Sequence, residues 1–84
     1  MMKLNLGIVS NNISEAREQL QQIEFRLQSD NAPSEIELKI MLRHAYHHMN
    51  FAWNIRHIPT AQYAHLTDDE FARWGRYPQE IEED

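Results

Sequence analysis

Side chains able to do chemistry crowd into one stretch of the chain. Histidines stand at 44, 47, 48, 57 and 65 among Lys39, Arg43 and Arg56, and from Leu38 through Thr67 there is no Asp or Glu. Arg43, His47, Asn50, Asn54 and His57 follow steps of +4, +3, +4 and +3, so a helix would put all five on one face. Amide and imidazole groups both donate and accept, which makes this face a candidate binding surface. The plainer reading is the solvent side of an otherwise apolar helix. Two asparagines speak against it, because Asn is a poor helix former and exposed helical positions favour Glu, Lys or Gln. As its histidines protonate, near about pH 6, the same stretch becomes positive and suited to an anionic partner.

Two further patterns overlap this face. His44 and His48 are four apart, a spacing that lets two imidazoles reach one metal ion. The helical metalloprotease motif needs Glu after its first His, and Ala45 stands there instead. Ligating histidines also usually have a carboxylate or carbonyl behind them, and Glu37 is the nearest acid in this helix. Packed or interfacial histidines are therefore the expectation, with no cofactor implied. Arg43 and His48 fit the Arg-x(4–6)-His signature of the HEPN ribonucleases, which are helical dimers. About one such match is expected by chance in a chain with this many Arg and His, so the spacing identifies no family. A metal-binding or HEPN-like enzyme using Arg43 and the His44/His47/His48 cluster stands as the alternative to a non-enzymatic role.

Other chemistries lack their residues. There is no cysteine for a thiol nucleophile, a disulfide or a thiolate zinc site, and only Gly7 and Gly75 are available for a phosphate-cradling loop. The formal charge of −5 argues against general nucleic-acid binding. That charge is local: from Thr67 onward seven acids face two arginines, while residues 1–66 are neutral. The N-terminus lacks a secretory apolar core and no stretch is long enough to span a membrane, so a cytoplasmic location is expected.

The elements that must position these residues are helical. Asn12-Ile13-Ser14-Glu15, Ser34-Glu35-Ile36-Glu37 and Thr67-Asp68-Asp69-Glu70 each place a capping residue three before Glu. They predict helices over about 13–28, 35–57 and 68–74, with Gly75 at a C′ position. Ile13, Ala16, Leu20, Ile23 and Leu27 form the expected seam of the first helix, facing Leu38, Met41, Leu42, Ala45, Met49 and Ala52 of the second. Leu4, Leu6 and Ile8 alternate with polar residues, which reads as an extended arm over 1–11, and 78–84 reads as an acidic tail.

The expected architecture is one all-α domain over 1–84, an antiparallel helical hairpin with a short third helix. A chain of 84 residues has a marginal core. The second predicted helix is also about 10 Å longer than the first and apolar on more than one side. Both features predict a homodimer in which two hairpins form a four-helix bundle, with Phe25, Phe51 and Trp53 as candidate intermolecular anchors. The expected function is that of a small non-enzymatic interaction or regulatory protein, with a possible further protein partner.

Overall fold

A computed structural model describes residues 3–78; residues 79–84 of the expected acidic tail lie outside the described residues. The described part is helical, with α1 Leu6–Leu27, α2 Glu35–Asn54, α3 Thr60–Tyr63 and α4 Asp68–Trp74. Helices α1 and α2 pack along their length as an antiparallel pair, and α4 lies against α2.

The N-terminal segment corrects the expected arm. From Leu6 onward it is already helix, capped by Asn5, whose Oδ1 accepts from the Ile8 amide at 3.3 Å. The start is fixed from far along the chain. Asn5 Nδ2 donates to the Ile58 carbonyl at 2.8 Å and to Thr60 Oγ1 at 3.2 Å, and the Asn5 amide donates to the Arg56 carbonyl at 2.6 Å. Ile8 then reaches the core beside Phe51 and Ile55. Asn12, the expected cap, is a buried mid-helix residue. Its side chain donates back to the Ile8 carbonyl, the kind of local bond that makes Asn ambiguous between cap and interior.

The other two capping boxes are as expected. Ser34 Oγ accepts from the Glu37 amide while Glu37 accepts from the Ser34 amide, and Thr67 and Glu70 repeat the exchange at α4. Helix α2 ends at Asn54, short of the expected residue 57. The stretch expected to be a plain linker contains α3. With 22 residues in α1 and 20 in α2, the expected length mismatch disappears. Gly75 has φ −83°, so it is not a left-handed cap. It is needed for close approach, because a Cβ there would meet the Phe71 carbonyl at 3.1 Å and the His47 ring at 3.5 Å.

The seam of α1 also differs from the expected one. Ile8, Asn12, Ala16 and Ile23 are buried, whereas Ile13, Leu20 and Leu27 are 50%, 44% and 55% exposed. On α2, Ala45 and Ala52 are buried against α1, and small side chains there let the two helices approach closely. The core concentrates at one end of the hairpin, where Ile8, Phe51 and Ile55 gather Ile58, Tyr63, Leu66 and Trp74. Tyr77, beyond α4, stacks on Tyr46 with ring centroids 6.4 Å apart.

Candidate functional site

Of the five residues, Arg43, His47, Asn50 and Asn54 lie on α2 and His57 falls beyond its end, and the C-terminal segment sits on Asn50 and Asn54. Asn50 is buried, and its Nδ2 donates to the Gly75 carbonyl at 2.7 Å. Asn54 Nδ2 donates to the carbonyls of Trp74 at 2.6 Å and Arg76 at 2.9 Å. These bonds take up the last carbonyls of α4, which no backbone amide of a continuing helix can reach. His57 Nδ1 is paired with the Lys3 carbonyl at 3.0 Å. His47 packs edge-on to Phe71 and Phe51, with centroids 5.7 Å and 6.5 Å apart. Desolvation there holds its pKa below the ordinary histidine value, helped by the positive charges of Arg43, His44 and His48. Four of the five residues thus make contacts within the chain, and the fifth, Arg43, lines a different surface.

That surface is an apolar groove. Leu20 of α1 and Leu42, Ala45, Tyr46 and Met49 of α2 line it, with Lys39 and Arg43 at the rim. Leu6, Ile13, Leu20 and Leu27 recur every seven residues and are all exposed, so they form one stripe along α1. Val9, Ala16 and Ile23 repeat with the same period three residues later, on the side that meets α2. The single predicted seam is therefore two heptad stripes, one inside the hairpin and one outside it. This seven-residue spacing was the available signal.

The expected anchors fall in different places. Phe51 is 3% exposed in the core, so it is not available to another chain. Phe25 is 74% exposed on the far side of α1, beside Glu18, Gln21, Gln22 and Arg26. Trp53 is 37% exposed and carries the Arg56 guanidinium 3.8 Å from its ring centroid.

The histidines named for the alternative chemistry stand with Arg43 on α2, near enough for the charges of Arg43, His44 and His48 to act on His47. His48 faces α1, and its Nδ1 lies 3.0 Å from Asn12 Oδ1, which also accepts from the Tyr63 hydroxyl at 3.3 Å. His48 and Tyr63 line an open cleft with Asn11, Asn12, Ser14 and Glu15, away from the groove that Arg43 lines. Asn12 and Tyr63 were not legible as site residues, since 51 residues separate them. Among the described residues no three His, Asp or Glu side chains are placed to share a metal ion. No helix among them is long and apolar enough to cross a membrane. No protein-family model, curated protein or solved structure matches the chain.

Proposed function

We propose that the protein is a non-enzymatic interaction module that works as a homodimer, two hairpins meeting through their apolar grooves in a four-helix bundle. The observation that carries this reading is the exposed heptad stripe Leu6, Ile13, Leu20, Leu27 of α1, whose Leu20 lines one groove with Leu42, Tyr46 and Met49 of α2. The stripe runs about 30 Å, and covering each of its large side chains contributes roughly 1.5–3 kcal/mol.

A second copy is the occupant that fits. Helices α1 and α2 are matched in length, so one hairpin can cover another from end to end. A heptad stripe is the pattern that packs against helices of the same period. Lys39 and Arg43 line the groove from α2, and Arg17 and Glu24 follow Ile13 and Leu20 by one turn on α1, so both signs flank the stripe. An isologous contact can therefore pair opposite charges rather than repel itself. Elements α3 and α4 pack elsewhere and leave the groove open.

Light scattering on the full chain tests the reading. The mass should be twice the 10.1 kDa of one chain at micromolar concentration. Leu20→Glu should give a monomer that keeps its helix content, and Phe25→Glu, on the opposite side of α1, should remain dimeric. A monomeric wild-type protein, or a dimer lost only in Phe25→Glu, would overturn it.

A further inference from the structure

The face of α2 turned away from α1 is covered along only part of its length. The segment that follows α4 runs over it toward the start of the helix. Trp74 and Arg76 offer their carbonyls to Asn54, Gly75 offers its carbonyl to Asn50, and Tyr77 stacks on Tyr46. These contacts step back about one helical turn at a time, from 54 to 50 to 46. The same face continues through Arg43, Lys39 and Ile36, all of them exposed. Among the described residues neither Lys39 nor Arg43 forms an ion pair, and Ile36 is 72% exposed. Pro78 is buried, so the chain still lies against the hairpin where residue 79 begins.

We propose that residues 79–84 of the same chain dock on this remaining stretch, their acids on Lys39 and Arg43 and Ile81 on Ile36. The segment reads Gln-Glu-Ile-Glu-Glu-Asp, four acids around one apolar side chain. Its reach fits. Lys39 and Ile36 stand about 10 Å and about 15 Å from Tyr46 along α2, at 1.5 Å per residue. Glu80 and Ile81 follow Tyr77 by about 10 Å and about 13 Å of extended chain. Acid therefore comes level with base, and apolar with apolar, in the same order. Glu35, beside Ile36, carries the sign of the tail and marks where the favourable stretch ends. Ion pairs on an exposed helix are individually weak, so attachment decides the host. A short tether holds the tail at an effective concentration of roughly millimolar, which favours its own chain over a second copy at micromolar concentration. The docking does not rest on the dimer. Arg43 and Met49 point about 120° apart around α2, so this face and the groove are separate sides of the helix that share Lys39, Arg43 and Tyr46 as an edge.

The chain has no cysteine, so Asp84→Cys gives a single attachment point for a nitroxide and leaves three of the four acids in place. Nitrogen-15 spectra of the full chain carrying the nitroxide should lose the amide signals of residues 36–43. The loss should persist when this chain is diluted into an excess of chain without nitrogen-15 or nitroxide, because host and tail are one molecule. Lys39→Glu combined with Arg43→Glu should restore the signals. Both residues are exposed, so the double variant leaves the core untouched. Salt at about 1 M, where screening acts over about 3 Å, should restore most of them. Ile81→Ser should reduce the loss at Ile36. Signals at 36–43 that the nitroxide leaves intact, or a loss that survives charge reversal, would overturn the proposal. So would a loss that vanishes on dilution, which would assign the tail to a second copy. Light scattering on the same samples keeps the two readings apart: a monomer sinks the four-helix bundle and leaves the docking result as it stands.

Discussion

At the scale of the residue, the asparagines of α2 show how a pattern can be visible and its use hidden. Steps of +4 and +3 mark Asn50 and Asn54 as unusual, since a helix has little reason to carry them on an exposed face. What the spacing cannot contain is the identity of what meets them. Their acceptors are the carbonyls of Gly75, Trp74 and Arg76, 20 to 25 residues away. The same limit hid Asn12, whose partners come from three separate segments. Replacing Asn50 by Ala strands the Gly75 carbonyl in a buried place, so stability should fall by about 1–3 kcal/mol. Urea unfolding measures it, and a loss within error of zero would mean that water replaces the amide. Asn54→Ala should cost less, because Asn54 is only partly buried and its Arg76 bond is exposed.

At the scale of the element, legibility followed the range of the forces that set each end. The starts of α2 and α4 are fixed by residues three apart, and the capping boxes at Ser34 and Thr67 were readable directly. The start of α1 has one local mark, the Asn5 cap on the Ile8 amide, and is otherwise fixed from afar by Arg56, Ile58 and Thr60. Five residues of period-two alternation are too few to outweigh that. The docking of α4 on α2 has its own pH dependence. Desolvation and nearby positive charge hold the His47 pKa below its ordinary 6.5, so the unfolded chain takes up the proton first. Stability should therefore fall as pH drops below 6.5 toward the lowered folded value. The Glu37 and Glu70 carboxyls lie below their ordinary 4.5, chiefly through hydrogen bonds from the backbone amides of Ser34 and Thr67. Their stabilisation is present above 4.5 and is lost only in a separate, more acidic window. Thermal unfolding from about pH 7.5 to about pH 5.5 should show the first loss in wild type and not in His47→Phe. A flat midpoint in wild type would show that the His47 pKa does not differ between the folded and unfolded chains.

At the scale of the whole molecule, the fold is elongated, 50 Å by 27 Å by 25 Å. Its radius of gyration is 14.6 Å, against about 12 Å for a compact domain of this length. The sequence suggested a second chain from an uncovered length of helix 2, and that reason fails because α1 begins at Leu6 and matches α2. The groove supplies a different reason. Phe51, taken as an anchor for another chain, belongs to the core, while the leucines taken for the internal seam lie on the outside.

Tyr46 belongs to two surfaces at once, as a wall of the groove and as the ring on which Tyr77 stacks. Any rearrangement that frees the segment after α4 therefore changes the shape of the groove. Closing that segment and filling the groove are two equilibria sharing one side chain, and such sharing is reciprocal: each shifts the other by the same factor. Protonating His47, a half-buried group outside the groove, should then weaken self-association. The dissociation constant at about pH 5.5 should exceed its neutral value in wild type, and Tyr46→Ala should abolish the difference. A constant that ignores pH would mean the two equilibria are independent. Coupled, they make a small hairpin responsive to acid through a tyrosine shared by two surfaces.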